Sequence, residues 1–424
     1  LGTSSVRNNT TGNYSVGLGQ GALYSNTTAS YGTAVGFRAA YSNTTGADNT
    51  AMGGNSLYTN STGNFNVASG YASLRLNTTG SSNVGLGYES LKSNTTASSN
   101  TAVGYQAGYS NTTGAENVLV GYKAGYSSTT GNGLTAVGRQ ALEDNTASNN
   151  TALGFAVMSN NTTGGFNTAL GGANYGFTGG AMHNNTTGSY NTALGNQALH
   201  GNTTASECTA VGYQAGHTGN AEQGTFIGKD SGKLVTGVKN TFVGAGSGNS
   251  VTSGDRNTIL GRYNGNQGGF DCRTRSNHIV LSDGDGNPRL QIDDDGNIKV
   301  PQVTSNTTGN SANMHITSSG EFAKSTSSLR YKNTVTVATH GLTELLTLRP
   351  VTYKGNNDGD TVFGGLIAEE VHDAGLTEFV MYNDDGEPDA LAYSNMVSLC
   401  IKAIQEQQAT ITALTDRITA LEGA

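Results

Sequence analysis

The 424 residues include 62 glycines, 46 asparagines and no tryptophan, and only 34% of them are hydrophobic. This composition excludes a large layered enzyme core, because such cores need more apolar volume. Charged residues make up 12% of the chain, so the polarity comes from neutral Asn, Thr, Ser and Gly, unlike that of charged disordered tails. The net charge of −8 belongs to residues 325–424, where 14 acidic residues outnumber 6 basic ones.

The remainder of the chain is electrically balanced and lacks basic clusters, so we expect no nucleic-acid partner. No apolar run approaches the roughly 20 residues that span a bilayer, so no membrane insertion is expected. The cysteines Cys208, Cys272 and Cys400 are odd in number and far apart, which excludes a disulfide framework and a CxxC metal site. We expect neither a metal nor a cofactor. Because the chain begins with Leu1 rather than Met, we expect that an upstream segment has been removed.

A four-residue pattern of Thr or a small residue, Ala, an aliphatic residue and Gly recurs along the chain, as in Thr101-Ala102-Val103-Gly104. Its last glycine falls at positions 19, 36, 53, 70, 87, 104, 121, 138, 154, 171, 195, 212, 228, 244 and 261. The steps are 17 or 16 residues long, apart from one of 24 residues. This spacing predicts fifteen turns of a β-solenoid.

Each unit holds an extended piece, a second piece such as Tyr105-Gln106-Ala107-Gly108 and a turn such as Ser110-Asn111-Thr112-Thr113-Gly114. Two short strands fit this length, with Gly and Asn supplying positive φ at the corners and Thr and Asn side chains bonding neighbouring backbone groups. Strand alternation places Ala34 on the face opposite to Thr33 and Val35. Small side chains then fill the coil, so stability requires stacking and the association of several chains.

Over about residues 8–265 these repeats resemble the left-handed β-roll heads of trimeric autotransporter adhesins, although those repeats are somewhat shorter. Aromatic residues follow the marker glycine at positions 37, 71, 88, 105, 122, 155 and 213. We expect this row to stack on itself, with sugar binding as the alternative. Asn-x-Thr sequences such as Asn26-Thr27-Thr28 and Asn43-Thr44-Thr45 are interpreted as periodic turns, with glycosylation as the alternative. The 24-residue step introduces residues 175–180, a plausible contact point.

Residues 1–268 are thus predicted to form the shaft and residues 269–324 a β-rich stem. In the stem, Asp283–Asn287 and Asp293–Asn297 are predicted turns of β-hairpins. The first turn also mimics a calcium loop, but Pro288 stands where that loop needs glycine, so the turn is preferred. His278 is predicted to be a strand residue and not a ligand.

The composition changes at about Ser325, where residues 325–424 begin. Four motifs follow in order: Ser327-Ser328-Leu329-Arg330-Tyr331-Lys332, residues 345–353, residues 365–371 and a terminal helix. This order resembles the C-terminal intramolecular chaperone domain of phage endosialidases, tail spikes and tail fibres. The resemblance implies a module that folds first, aligns three chains and releases itself by autoproteolysis.

Ser327 and Lys332 match the serine and lysine of that family, five residues apart. The resemblance implies that Ser327 is the nucleophile, that Lys332 is its base and that cleavage falls between Thr326 and Ser327. A hydroxyl nucleophile needs a nearby base, and lysine serves when desolvation lowers its pKa. Ser328 stands where the family often has Asp, a departure that affects the rate of cleavage more than the fold. A serine peptidase acting once in cis is the only enzyme activity expected.

The terminal helix carries a heptad pattern within about residues 395–422. Val397, Ile404, Ile411 and Ile418 occupy position a, and Cys400, Gln407, Leu414 and Leu421 occupy position d. The pattern predicts a multi-stranded coiled coil, with a single amphipathic surface helix as the alternative. The family resemblance, and not the seam, indicates three strands.

We therefore predict a mainly β protein with a left-handed, β-roll-like solenoid shaft that forms a homotrimer, a β-rich stem and a small α+β chaperone domain ending in a coiled coil. Its predicted function is that of a trimeric phage tail fibre or receptor-binding spike in the virion, with a host surface receptor or glycan as a further partner. The alternative is a bacterial, extracellular or cell-surface adhesin that retains its C-terminal trimerisation domain. A polysaccharide-degrading spike is disfavoured, because residues 1–205 hold only 5 acidic residues and glycosidases use a facing pair.

Overall fold

The computed structural model describes residues 2–172, 179–301, 314–316, 322–324, 332–356, 359–383 and 385–423. The protein is mainly β, with a solenoid of about 15 turns and a C-terminal helix. The chain divides into two compact units between residues 308 and 309.

Each solenoid turn contributes one three-residue strand. The strands are β1 (Val16–Leu18), β2 (Thr33–Val35), β3 (Thr50–Met52), β4 (Val67–Ser69), β5 (Val84–Leu86), β6 (Thr101–Val103), β7 (Val118–Val120), β8 (Thr135–Val137), β9 (Thr151–Leu153), β10 (Thr168–Leu170), β11 (Thr192–Leu194), β12 (Thr209–Val211), β13 (Thr225–Ile227), β14 (Thr241–Val243) and β15 (Thr258–Leu260). Neighbours pair in parallel and in register, as when Thr101 lies opposite Val84 and Val118. This arrangement confirms the predicted solenoid.

The second piece of each unit is not a strand. In Tyr105–Gly108, Gln106 has φ 54° and Gly108 has φ 62°, so the backbone alternates through the left-handed region instead of extending. Its N–H groups still bond to adjacent turns, from Gln106 to the Tyr88 carbonyl and from Gly108 to the Ala124 carbonyl, both at 2.9 Å. The prediction of two strands per unit was therefore wrong. The second piece forms a corner that is not extended, and its backbone groups are satisfied by hydrogen bonds to the turns stacked on either side.

Within a turn, we count the first strand residue as position 1. Side chains at positions 2 and 8 fill the core. Where the side chain at one of these positions is large, it packs against a glycine at the other. Leu119 lies between Gly108 and Gly125, and Phe226 lies beside Gly232. A Cβ atom on Gly232 would lie 2.4 Å from Cδ1 of Phe226, and one on Gly108 would lie 2.8 Å from Cδ1 of Leu119. Most other turns pair Ala at position 2 with Leu or Met at position 8, so the core is close-packed throughout.

A buried column of asparagines runs through position 11. The Nδ2 atom of Asn77 donates to Oδ1 of Asn60 at 2.7 Å and to the Gly80 carbonyl at 2.8 Å. Its Oδ1 atom accepts a bond from Nδ2 of Asn94 at 2.8 Å. The buried members of this column are Asn26, Asn43, Asn60, Asn77, Asn94, Asn111, Asn145, Asn161, Asn185 and Asn202. The column joins each turn to the next through side chains as well as backbone.

A second buried asparagine column occupies the last position of most turns. The Oδ1 atom of Asn100 accepts a bond from the backbone N–H of Asn117 at 3.0 Å, and its Nδ2 atom donates to the Gly114 carbonyl at 2.9 Å. In the first column, Asn26 and Asn43 belong to Asn-x-Thr sequences and are at most 1% exposed. Their amides are inaccessible in the folded solenoid, which supports the interpretation of these sequences as structural turns.

The solenoid ends in antiparallel strands. They are β16 (Asn266–Gln267), β17 (Phe270–Asp271), β18 (Ile279–Ser282), β19 (Pro288–Ile292) and β20 (Ile298–Lys299). Strand β18 pairs in parallel with β15, and β19 and β20 then add antiparallel hairpins. This confirms the hairpins predicted around both acidic turns.

The first acidic turn uses its carboxylate internally. Oδ1 of Asp283 accepts bonds from the backbone N–H groups of Asn287 and Asp285 at 2.9 and 3.0 Å. These bonds, together with the Arg289 guanidinium on the other oxygen, hold the pKa of Asp283 well below its usual range. His278 is buried immediately before β18, and its Nδ1 atom lies 2.6 Å from the Ser276 carbonyl oxygen. These contacts support the turn interpretation. His278 was predicted to be a strand residue, but it lies one residue before β18 and its ring bonds within its own turn.

The second unit is α+β. It comprises β21 (Met314–Ile316), β22 (Phe322–Lys324), α1 (Leu342–Leu345), β23 (Val351–Tyr353), β24 (Phe363–Gly365), α2 (Ala368–Asp373), a 3₁₀ turn (Thr377–Phe379), β25 (Val380–Tyr382), β26 (Pro388–Leu391) and α3 (Tyr393–Glu422). The strands form three antiparallel hairpins. Val371, Leu376 and Phe379 form a small core with Met396 and Leu399 of α3.

Candidate assembly surfaces

The residues predicted to cleave the chain are only partly described. Thr326 and Ser327 lie outside the described residues, as do residues 175–178 of the contact loop predicted at residues 175–180. Lys332 is described and is exposed. The Ser327 and Lys332 dyad therefore stays a prediction, and the described features that point to function are surfaces.

The solenoid strands present one face to the core and one outward. In β6, Ala102 is buried whereas Thr101 and Val103 are only half-buried, as the predicted alternation requires. Small side chains at position 2 let the turns stack closely, and position 3 is left to project outward. The chemistry of position 3 therefore determines what this face of the solenoid can bind.

Position 3 is an aliphatic column. Its residues are Leu18, Val35, Met52, Ser69, Leu86, Val103, Val120, Val137, Leu153, Leu170, Leu194, Val211, Ile227, Val243, Leu260 and Leu281. Ser69 is the one polar member, and eight of the others are 36% to 50% exposed. With strands about 4.8 Å apart, the column is roughly 70 Å long. Such a long apolar stripe is typical of a surface that another protein covers.

An aromatic row lies two residues beyond this column. Tyr71, Tyr88, Tyr105 and Tyr122 stack with ring centroids 5.6, 5.3 and 5.2 Å apart. The Arg139 guanidinium then lies 5.6 Å from the centroid of the Tyr122 ring. Because the ring faces are occupied by one another, the row supports the prediction of a structural ladder over a sugar-stacking surface.

A second row, at position 9, was not predicted from the sequence. Tyr24, Tyr41 and Tyr58 stack at 4.8 and 5.4 Å, and Tyr109 stacks on Tyr126 at 5.1 Å. The signal that identifies it is the fifth residue after the marker glycine, which is Tyr at positions 24, 41, 58, 109 and 126. Histidines continue this row in later turns.

Helix α3 has two apolar sides. Met396, Leu399 and Ala403 are buried on its own unit. The position a residues of the seam, Val397, Ile404, Ile411 and Ile418, are 49% to 63% exposed. Leu414 and Leu421 at position d, and Cys400, are exposed as well. This confirms the predicted helix and leaves its heptad seam open to a partner helix.

No protein-family model, curated protein or solved structure matches this chain. The resemblance to phage chaperone domains and adhesin heads therefore depends on the motifs alone. In the part of the chain that the structure describes, no helix combines the length and apolarity needed to cross a membrane. The two exposed apolar surfaces, on the solenoid and on α3, are thus the main evidence on function.

Proposed function

We propose that this chain is one subunit of an elongated homotrimeric fibre, a phage tail fibre or spike-like protein whose C-terminal unit directs assembly. The observation that carries this proposal is the aliphatic column at position 3. A fibre subunit must expose a continuous apolar surface before assembly and cover it afterwards. The heptad seam on α3 supports the same proposal independently.

The size of the column is sufficient to drive association. Covering the exposed part of each aliphatic side chain contributes about 1 kcal/mol, at roughly 25 cal/mol per Å². Over the sixteen strands that carry the column, this sums to roughly 15 kcal/mol for each chain. Association costs about 4–15 kcal/mol in lost freedom and ordering. The column alone therefore offsets the cost of assembly.

The α3 seam supplies what a repetitive column lacks, which is register. Every turn resembles its neighbours, so two solenoids could pair with many wrong offsets. The seam holds only four heptads, so sliding one helix by one heptad uncovers about a quarter of it, and the coiled coil therefore favours a single offset of its chains. Assembly that begins at α3 therefore places the solenoids in register before they associate.

We further propose that the C-terminal part is released after assembly. The Ser327 hydroxyl attacks the Thr326 carbonyl carbon while Lys332 accepts the hydroxyl proton. The new C–O bond replaces the C–N bond, the freed amine is protonated, and water then hydrolyses the ester. Lys332 is exposed in the single chain, and we propose that the association of three copies around this segment makes it competent for cleavage. Cleavage is thereby coupled to assembly.

The test of this step is a denaturing gel of purified full-length chain. Ser327→Ala and Lys332→Ala should each leave one full-length band, whereas the matched control Ser325→Ala should be cut like the wild type. A wild type that stays whole after prolonged incubation as a trimer contradicts the cleavage step. That result would favour a cell-surface adhesin with a retained C-terminal domain, to which the repeat pattern also points.

The test of assembly uses the native cysteines. Cys208 and Cys272 are buried, and burial raises the pKa of both thiols, that of Cys272 to about 11. Cys400 is exposed in the seam. In a parallel, in-register coiled coil the Cys400 side chains of different copies meet, so mild oxidation should link pairs of chains within each trimer.

The matched control moves the thiol off the seam. Cys400→Ser combined with Ala409→Cys places it at heptad position f, which faces away from the seam. Oxidation of this variant should give few linked chains at the same protein concentration. Equal linking in both proteins, or no linking of the wild type, would contradict the parallel coiled coil.

A further inference from the structure

A cavity opens on the solenoid surface where two successive positions of one turn carry almost no side chain. In the turn of β14, positions 5 and 6 are Ala245 and Gly246, whereas the turn of β13 carries Lys229 and Asp230 there. Earlier turns stack aromatic rings at position 5, so the short residues leave a gap in that row. The cavity at this gap has a volume of about 660 Å³, which is in the usual range for small-molecule sites.

Two cationic side chains line this cavity on either side of the gap. Lys229 occupies position 5 one turn before Ala245, and Arg262 occupies position 5 one turn after it. Both residues are exposed. Because strands are about 4.8 Å apart, their backbones lie roughly 10 Å apart along the solenoid. The long side chains of Lys229 and Arg262 can therefore reach one anion that lies between them.

Two amide side chains add hydrogen-bond donors to the cavity. Oδ1 of Asn249 accepts a bond from Oγ of Ser250 at 3.0 Å, and Oδ1 of Asn264 accepts one from the backbone N–H of Asn266 at 2.8 Å. Because each amide oxygen is already engaged, the NH₂ group is the part of each side chain left to bind a ligand. Nδ2 of Asn249 lies 3.7 Å from the place that a Cβ atom on Gly246 would occupy, so this donor borders the gap.

The charges around the cavity favour an anion. Oδ1 of Asp230 lies 3.3 Å from Nζ of Lys233, and its Oδ2 lies 3.9 Å from Nζ of Lys229, so this carboxylate is neutralised. Asp285 is exposed where it lines the cavity, and its carboxylate opposes an anion. Residues 226–290 nevertheless hold 8 basic and 5 acidic residues, although the chain as a whole carries a net charge of −8. This part of the solenoid therefore attracts anions.

The arrangement of the donors indicates the kind of anion. They come from three successive turns, with Lys229 in the first, Asn249 in the second and Arg262 in the third. A carboxylate directs both of its oxygens to one side, whereas a phosphate monoester directs three terminal oxygens around its phosphorus and carries nearly two negative charges. The guanidinium fork also matches phosphate oxygens. We propose that this cavity binds a phosphate monoester, with the phosphate group held between Lys229 and Arg262 and the rest of the volume taken by the group that carries it.

Calorimetric titration of the full-length chain with glycerol phosphate, inorganic phosphate and glycerate tests this proposal. Glycerol phosphate should bind one equivalent per chain, and glycerate, its carboxylate counterpart, should bind at least about tenfold more weakly, equal to 1.4 kcal/mol. Arg262→Gln and Lys229→Gln should each weaken glycerol phosphate binding by a similar factor. The matched control is Lys239→Gln, which removes the same charge from an exposed position of the solenoid and should bind like the wild type.

Two further variants test the shape and the charge of the cavity separately. Ala245→Leu fills the gap without changing the charge, so it should abolish binding, and its circular dichroism should match the wild type because Ala245 is exposed. Asp285→Asn removes the opposing carboxylate and should tighten binding by about two- to fivefold, the effect of one exposed charge pair.

Four results would overturn the proposal. A wild type that binds no glycerol phosphate, or binding that persists in Ala245→Leu, would show that the cavity is not the site. Equal weakening by Lys239→Gln and Arg262→Gln would show attraction by net charge only. Inorganic phosphate that binds more tightly than glycerol phosphate would show a site for the free ion, and glycerate that binds as tightly would show a site for carboxylates.

Discussion

Replacing Asn77 by Ala tests whether the buried asparagine column holds the solenoid together. The change removes three side-chain hydrogen bonds, two donated to Asn60 and Gly80 and one accepted from Asn94. The Gly80 carbonyl keeps a bond from Asn66 at 2.9 Å, and Asn94 keeps its bond to the Ala97 carbonyl at 3.0 Å. Oδ1 of Asn60 is left buried with the loss of its donor.

These losses set the expected magnitude. The bonds to Gly80 and from Asn94 contribute about 1 kcal/mol each, and the orphaned Asn60 acceptor costs about 1–3 kcal/mol. We therefore expect Asn77→Ala to lower local stability by roughly 3–5 kcal/mol. Asn77→Asp keeps the volume but sets a carboxylate oxygen against Oδ1 of Asn60, so it should destabilise at least as much. Asn77→Ala creates a cavity and Asn77→Asp does not, so comparing the two variants separates the loss of hydrogen bonds from the cost of the cavity.

Hydrogen exchange of backbone amides in the turns around residue 77 is the appropriate assay, because repeat arrays unfold locally and a single two-state free energy does not describe them. The control is Thr79→Ala, at an exposed position in the same turn. If the free energy of local opening in both Asn77 variants is within about 0.5 kcal/mol of that in the control, the asparagine column does not contribute the stability assigned to it.

Three further outcomes follow from packing, assembly and stacking. Gly232→Ala should lower the local stability measured by hydrogen exchange by about 1–3 kcal/mol more than Gly269→Ala, because both have positive φ but only the former crowds Phe226. Lysine at both Leu153 and Leu170 should weaken self-association by at least about 3 kcal/mol in sedimentation equilibrium, and lysine at exposed Ser99 should not. Tyr105→Ala should cost only about 1 kcal/mol of thermal stability, and a loss of trimer would contradict a purely structural ladder.

The strands could be predicted because one residue type marks each of them. Gly104 adopts φ 132°, and Gly121 and the other marker glycines adopt similar values, a conformation that side chains disfavour. Counting back from these glycines locates all fifteen solenoid strands, β1 to β15. The Asp-Gly sequences of residues 283–287 and 293–297 located the terminal hairpins in the same way.

The corners could not be predicted because ordinary residues adopt left-handed conformations there. Leu91 has φ 49° and Gln106 has φ 54°, with no glycine to signal it. The sequence indicated that Asn would bond to backbone, but not that whole amides would be buried and bond to each other, since that depends on the next turn. Ser128 interrupts the asparagine column at position 11, and Oδ1 of Asn111 is there buried without a hydrogen-bond partner. In the same turn Leu134 replaces the asparagine of the second column, at the last position.

The assembly surfaces were partly predictable. The heptad spacing around Ile404 and Ile411 identified the seam directly, and the structure places both on an exposed side of α3. The outward direction of the aliphatic column was also predictable, because strand alternation places Ala34 and Val35 on opposite faces. The Ser327 and Lys332 dyad remains a prediction from resemblance, because Ser327 lies outside the described residues.

The most direct test of the central claim is the mass of the assembled protein in solution. Light scattering during size-exclusion chromatography of the Ser327→Ala variant, which should not be cut, reports the number of chains per particle. The account predicts a particle of three times the 43.4 kDa of the single chain, unchanged on dilution through the micromolar range. A stable particle of 43.4 kDa with both apolar surfaces in water would contradict it.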